Sequence, residues 1–277
     1  MSDLKYRVKM KLLINYANDV FRKSQRLNSK TGKKVGFFDE VISYTPGDIE
    51  PEFYEKNKNI LSQKKGNGYW LWKPYFIKKT LEMLNWDDFL FYCDSGSYFI
   101  KPITPLIEIS LSNSQDIIVF ELSHTERIWT KRDAFILMNC DSPKYSESNH
   151  RLASFSLWKK SNFTIDFINE FLDYAQDERL ITDLENQCGY PNYPDFKEHR
   201  HDQSIFSLLS KKYNLNAYRD PSQWGNSSKK FYTNSKYEQL IEHTRKRNWH
   251  MLHQAKRKIQ SLTNRFRESA MPSDRLN

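Results

Sequence analysis

Phe89-Leu90-Phe91-Tyr92-Cys93-Asp94-Ser95-Gly96 is the stretch on which the fold turns. Five apolar residues in a row make a strand-sized run, and an acid, a serine and a glycine end it abruptly. The run reads as a central strand. On its N-terminal side Asp87 and Asp88 form a turn. A strand from Asp88 to Asp94 spans about 20 Å at roughly 3.3 Å per residue, so these two acids and Asp94 cannot share one site. Further upstream Pro74 suits the first turn of a helix. Ile77, Leu81 and Leu84 then follow at helical spacing, with Lys78 and Lys79 on the other side. Met10 to Tyr16 reads as a first strand, and Val35–Phe38 or Val41–Tyr44 as a second. Pro46, Gly47 and Pro51 mark a loop, and Asp48 to Glu55 is a solvated acidic stretch. Downstream, Ile117–Phe120 is another strand. Thr164–Ala175 and Asp202–Lys212 are helices, and a further helical pattern begins at Lys236. Strands alternating with helices predict an α/β fold with a mostly parallel central sheet flanked by helices.

Composition agrees and narrows the class. The chain has 277 residues, 38% hydrophobic and 15% aromatic, with 8 Gly and 10 Pro. That is enough apolar surface for one large folded domain, and it excludes a disordered or collagenous chain. No window approaches the ~18 consecutive apolar residues of a spanning helix. The N-terminus carries no secretion signal, and Cys93, Cys140 and Cys188 are sparse, odd in number and widely spaced. A cytosolic protein without disulfides is expected. Net charge is +9, from 43 Lys+Arg against 34 Asp+Glu, which favours anionic partners: phosphates, nucleic acid or an acidic membrane face. Residues 1–242 are expected to form the domain and 243–277 a basic helical tail. Between His243 and Arg267 there are eight Lys or Arg and no acid.

Five segments carry candidate chemistry. Asp94-Ser95-Gly96 follows the central strand, and in open α/β sheets ligands bind beyond the carboxyl ends of strands. An acid there holds a divalent cation against a diphosphate, or it simply caps the next segment. Glu198-His199-Arg200-His201-Asp202-Gln203-Ser204 is a dense polar set before an apolar helix. It suits polyol binding, metal ligation or proton transfer, while Asp202 also favours a helix start. Gly68-Tyr69-Trp70-Leu71-Trp72-Lys73-Pro74-Tyr75 offers aromatic faces for a base or sugar, or for core packing, and Lys73 could meet a phosphate. In Glu126 to Asp133, Thr130 is an N-cap with Asp133 at N3, which puts Lys131 and Arg132 at a helix start where an anion binds. His243 is a lone histidine near the tail. There is no G-x-S-x-G, Walker loop or Rossmann G-x-G-x-x-G. Cys93 beside Asp94 is expected to be buried and inert.

On Gly68 to Pro74, Phe91 to Gly96, Arg127 to Asp133 and His199 to Ser204, in that order over residues ~10–245, the chain resembles bacterial polysaccharide glycosyltransferases of the GT-A type. The resemblance implies a GT-A-like single domain and a nucleotide-sugar donor. It implies a glycan or lipid-linked acceptor in surface-polysaccharide synthesis. An Asp-x-Asp motif that binds Mn²⁺ or Mg²⁺ is matched at Asp94, whereas its third position is Gly96. In glycogenin-like relatives an Asp-Gln pair lines the sugar pocket, and Asp202-Gln203 resembles it. A late histidine there is a metal ligand, for which His243 is the candidate and His250 the alternative. The implied site is therefore Asp94 and His243 at metal and diphosphate, Ser95, Gly96, Lys73 and Trp70 around the donor, Asp202 and Gln203 at the sugar, and Lys131 and Arg132 at phosphate or acceptor. The Asp-Gln likeness implies retention; an inverting enzyme would use Asp202 or His201 as base. The basic tail suits an anionic membrane surface, or it packs on the domain with a solvated face. Two other classes stand beside this one: a nucleic-acid-binding protein or nuclease, and an inactive membrane-associated scaffold of glycosyltransferase fold. The acidic stretch Asp48–Glu55 and the lack of any nucleic-acid module count against the first.

Overall fold

The computed structural model describes residues 9–226 and 232–244. Strands β1 (Lys11–Tyr16), β2 (Glu40–Tyr44), β3 (Phe89–Cys93), β5 (Ile117–Thr125), β6 (Asn149–Lys159) and β7 (Ala217–Arg219) form one sheet in the order β2-β1-β3-β6-β5-β7. A ribbon of β4 (Ser97–Phe99) and β8 (Ile241–His243) lies apart from it. In the main sheet β6 alone runs against its neighbours, pairing antiparallel with β3 and β5, while β1–β2, β1–β3 and β5–β7 are parallel. The fold is α/β with a mostly parallel central sheet flanked by helices, as the alternation of patterns predicts.

All five residues of β3 are buried, because both faces of the sheet are covered. Leu90 and Tyr92 join a core on one face with Leu12, Ile14 and Trp158. There α2 (Trp72–Met83), α5 (Asn162–Ala175) and α6 (Asp202–Lys212) add Phe76, Ile77, Phe167, Phe171, Ile205 and Leu208. Phe89, Phe91 and Cys93 point to the other core with Leu13, Phe99, Phe155 and Leu106 of α3 (Thr104–Ser112). Helix α1 (Arg22–Thr31) differs from these, since its buried residues are Ser24, Gln25 and Asn28. Asn28 donates to Cys93 Sγ at 3.1 Å and to the Ser97 carbonyl at 3.1 Å, tying α1 to the end of β3. Cys93 is fully buried, and burial, with the adjacent Asp94 charge, pushes its thiol well up, in line with an inert residue.

The structure decides one open alternative of the sequence reading and departs from it at two elements. The second strand is the Val41–Tyr44 run; Val35–Phe38 is not a strand. Gly32–Gly36 makes a wide helical turn and Phe37 takes a left-handed φ of 59°. That turn packs so closely that a Cβ on Gly32 would lie 2.3 Å from Leu13 Cδ2. The long β6 goes unread because Ser154 and Ser156 interrupt its apolar residues; the serines alternate with Phe155 and Leu157. The helix expected from Lys236 is absent over 236–244, which instead reaches β8. Leu240 and Ile241 are buried, and Thr244 N–H bonds to the Gly96 carbonyl at 2.9 Å. The strand crosses the expected 242/243 boundary. Residues 245–277, with His250 and the rest of the expected basic tail, lie outside the described residues. Among the described residues no helix is long and apolar enough to cross a membrane.

One loop is conformationally unusual. Gly66, Asn67, Gly68, Tyr69 and Trp70 all have positive φ, a run of left-handed residues just before α2. Single residues adopt this conformation routinely, but runs of L-residues do not. Gly68, at φ +94°, also lies against the chain, and a Cβ there would sit 2.8 Å from Leu61 Cα. Gly68→Ala should therefore lose about 3 kcal/mol of stability in urea unfolding, from strain and overpacking together. Gly189→Ala, at φ +81° with nothing within 4 Å of a new Cβ, should lose about 1 kcal/mol. Equal losses at the two sites would contradict the close packing of the left-handed turn.

Candidate functional site

A cleft of about 810 Å³ opens at the carboxyl ends of β1 and β3 and at the start of α6. Tyr16 to Asn18 line it after β1, and Asp94, Ser95 and Gly96 after β3. The left-handed turn contributes Gly66, Asn67 and Trp70, and the first turn of α2 contributes Lys73. His201, Asp202 and Gln203 close the opposite side. Nine of the eleven residues singled out from the sequence thus share one cavity: His243 also lines it, whereas Lys131 and Arg132 do not.

Lys73 sits at the floor, 4% exposed. Its ammonium donates to Asp202 Oδ2 at 2.5 Å and to the Ala153 carbonyl at 3.1 Å, and lies 3.9 Å from Asp94 Oδ1. The Tyr92 ring lies 5.1 Å beneath it, and the Tyr92 hydroxyl donates to Asp94 Oδ1 at 2.5 Å. One cation is thus shared by two carboxylates that belong to different elements. Burial pushes the Asp202 carboxyl up to about 6; Lys73 pulls the other way, and the Asp94 charge adds to the rise. Asp94 keeps the larger solvent contact, with a side chain 29% exposed against 5% for Asp202.

His201 precedes α6 with φ 53° and ψ −123°, a conformation strained for any residue with a side chain. Its Nδ1–H donates to the Ile181 carbonyl at 2.9 Å. The ring stacks on Trp70, centroids 5.4 Å apart and planes 19° apart, so the strained residue and the left-handed turn brace each other. Burial pushes His201 down to about 4, leaving it neutral. Gln203 Oε1 accepts the Ala153 N–H at 3.2 Å, which docks α6 on β6. Ser95 Oγ donates to the Tyr16 carbonyl at 2.5 Å and joins the ends of β1 and β3. The Gly96 carbonyl accepts from Thr244 Oγ1 at 2.7 Å.

Lys131 and Arg132 have structural tasks away from the cleft. Lys131 is buried, with its ammonium on the carbonyls of Thr182 (3.2 Å) and Leu184 (3.0 Å), and burial lowers its pKa. Arg132 pairs with Asp141 at 2.9 Å and lies 4.3 Å over the Tyr193 ring. The expected capping pair is not formed either. Helix α4 (Arg132–Leu137) has Lys131 at its N-cap. Thr130 Oγ1 instead donates to Glu126 at 2.6 Å, and Asp133 accepts the N–H groups of Gln187 and Cys188.

The cleft also holds residues outside the eleven singled out from the sequence. Asn18 Oδ1 is a buried acceptor with no hydrogen-bond partner, at the exit of β1. Lys64 and Lys65 line the rim before the left-handed turn, with Lys65 paired to Asp183 at 2.8 Å. His124, Trp129, His150 and Arg200 line another part, where Arg200 lies 4.3 Å over the Trp129 ring. Lys64 and Lys65 had a local signal in the Lys-Lys-Gly-Asn-Gly composition of residues 64–68, and Trp129 and Arg200 lay within two of the candidate segments; Asn18, His124 and His150 had none.

The described residues of the cleft do not fit the divalent cation that the Asp-x-Asp resemblance implies. Among the described residues no three His, Cys, Asp or Glu side chains come together as a ligand set. Asp94 already receives the Tyr92 hydroxyl and faces Lys73. His243 Nδ1 is hydrogen-bonded to Ser97 Oγ at 2.7 Å, and its ring packs edge-on against Phe155.

No protein family and no curated protein matches the chain. Among solved structures it is similar to mouse xyloside xylosyltransferase 1 at 10% identity, covering 86% of this chain and 97% of that one with a TM-score of 0.46. It is similar to the galactosyltransferase LgtC at 13% identity, covering 87% and 90% with a TM-score of 0.46. It is also similar to the bifunctional glycosyltransferase WbbM at 9% identity, covering 75% of this chain and 38% of that one with a TM-score of 0.41.

The histidines set the acid response. His201 and His150 are pushed by burial from 6.5 to about 4, so between those values the unfolded chain binds protons that the folded chain does not. Their contribution is complete above pH 6.5 and is lost as pH falls toward 4, about 3 kcal/mol for each ring. Asp202, raised to about 6, acts oppositely and loses its contribution as pH rises through 6. The two rings outweigh it. The melting temperature should therefore fall from pH 7 to pH 4.5, and His201→Phe should flatten the fall. A melting temperature that rises on acidification would contradict the buried neutral histidines.

Proposed function

We propose that the chain is a glycosyltransferase that moves a sugar from a nucleoside-diphosphate donor to a hydroxyl of a glycan or lipid-linked acceptor, in the making of surface polysaccharide. One observation carries this reading: the buried Lys73–Asp202 pair beside Asp94, on the floor of a cleft at the carboxyl ends of parallel strands. Glycosyl transfer builds negative charge on the departing diphosphate and positive charge on the sugar, and preorganised charges lower that barrier. Asp202, held rigidly by Lys73, suits the sugar side. The exposed Lys64 at the rim suits the diphosphate. The buried, unpartnered Asn18 Oδ1 suits an N–H of the nucleobase, as an orphaned acceptor in a cleft is satisfied by a ligand donor. Gln203, Trp70 and His201 suit the sugar pocket. No step is assigned to a metal ion. Cytosolic placement on an anionic membrane face follows from a lipid-linked acceptor and the basic composition.

The test is thermal unfolding with a panel of nucleoside diphosphates and nucleotide sugars, each with Mn²⁺ and with EDTA. A nucleotide at 100 times its Kd should add roughly 2.7 kcal/mol. Asp202→Asn should keep nucleotide binding and lose at least about 100-fold in sugar transfer. Stabilisation by oligonucleotides and by no nucleotide sugar would overturn the proposal in favour of a nucleic-acid-binding protein.

A further inference from the structure

His150 is the cleft-lining side chain with the most elaborate support and no task in the reading above. It lies on β6, three residues before Ala153, whose carbonyl holds Lys73; that separation is about 10 Å along a strand. The ring is 1% exposed. Its Nε2 is buried without a formed hydrogen bond, 3.4 Å from Glu126 Oε1. Its Nδ1 makes no hydrogen bond among the described residues.

Glu126 is fully buried, and its charge is secured from the far side. Oε1 accepts from Thr130 Oγ1 at 2.6 Å, and Oε2 accepts from Ser207 Oγ at 2.5 Å and from the Lys211 ammonium. Burial opposes the ionised carboxylate, but His150, Lys211 and Ser207 together hold its pKa below the ordinary value. A buried ion pair of this kind adds little stability over apolar packing, so its presence calls for another reason. Here the fixed carboxylate faces Nε2 and leaves Nδ1 unbonded, on a side chain that lines the cleft. Burial keeps that imidazole neutral, with Lys211, Arg200 and His124 acting in the same sense and Glu126 against them.

We infer that His150 is the base that takes the proton of the acceptor hydroxyl, with Glu126 as the positioning residue that orients the ring. This rests on the glycosyltransferase reading of the cleft. The acceptor O–H gives its proton to Nδ1. The acceptor oxygen forms its bond to the anomeric carbon as the bond from that carbon to the diphosphate oxygen breaks, and the electron pair leaves with the diphosphate. The imidazolium so formed keeps its Nε2–H toward Glu126, which stabilises the new charge. Direct displacement inverts the anomeric centre, whereas the Asp202-Gln203 resemblance implies retention.

The test uses the whole chain, wild type and His150→Gln, with nucleoside diphosphates and the matching nucleotide sugars. Water serves as acceptor, because a base in the cleft activates water as it does a sugar hydroxyl. Nucleotide affinity by calorimetry tests the reading of the cleft, and sugar release tests the inference. The expected result is nucleotide affinity within about two-fold of wild type and release slowed at least about 100-fold. The sugar first released by wild type, followed by proton NMR, should be inverted. Release by His150→Gln within about three-fold of wild type, a retained anomer, or a wild type that binds donor and frees no sugar overturns the inference and leaves the reading standing. A wild type that binds no nucleotide overturns both. If His150→Gln fails to fold, nitrogen-15 NMR of the wild-type histidines decides at pH 7. A proton on Nε2 of His150 with a bare Nδ1 supports the inference, and a proton on Nδ1 overturns it.

Discussion

A single buried ammonium organises this molecule's cleft. Lys73 is almost wholly removed from water, and a charge in that position persists only if its surroundings supply what water did. Four groups from three elements meet to supply it: Asp202 from the start of α6, the Ala153 carbonyl from β6, the Tyr92 ring from β3, and Asp94 from just beyond β3. The positions of these elements are therefore coupled. The antiparallel β6 matters here because it carries the Ala153 carbonyl between β3 and α6, and the Ala153 N–H binds Gln203. A sheet without β6 would leave the ammonium short of a partner and α6 without its dock.

Strain gathers around the same point. The left-handed run from Gly66 to Trp70 delivers Trp70 to His201, itself at a positive φ, immediately before Asp202. Conformations that cost energy persist where surrounding packing over-determines them. Here the Trp72 indole donates to the Gly66 carbonyl at 2.9 Å, Asn67 bonds the Tyr16 hydroxyl, and His201 bonds the Ile181 carbonyl. The turn places an aromatic wall beside the carboxylate without contributing a charge of its own. Most of the polar side chains in the cleft are committed to the protein; Asn18 Oδ1 is left buried without a hydrogen bond, and His150 Nε2 faces Glu126 at 3.4 Å without forming one.

What was legible in the sequence was local. The five apolar residues before Asp94 announce β3 because a strand covered on both faces needs no polar alternation. Ile77 and Leu81 announce α2, and Asp202 announces α6, through helical spacing and an acid at a helix start. Asp94, Lys73, Trp70, His201, Asp202 and Gln203 all reach the cleft because they sit at the ends of those elements. The failures have one cause, which is that pairing across the chain leaves no short-range mark. Lys131 and Arg132 look like an anion site from their own neighbourhood, yet Lys131 spends its ammonium on carbonyls fifty residues away. Thr130 and Asp133 have capping spacing, yet their partners are Glu126, Gln187 and Cys188. His150 is unremarked in sequence, because only the fold brings it to Glu126 and the cleft at once.

The central claim, that the Lys73–Asp202 pair holds the floor of the cleft, is tested most directly by a double-mutant cycle in urea unfolding with Lys73→Met, Asp202→Asn and both together. The account predicts that Lys73→Met alone loses about 3–5 kcal/mol, because it strands a buried carboxylate. The double variant should recover a large part of that loss, since the stranded charge is then gone. A loss below about 1 kcal/mol for Lys73→Met, or losses that simply add, would contradict it.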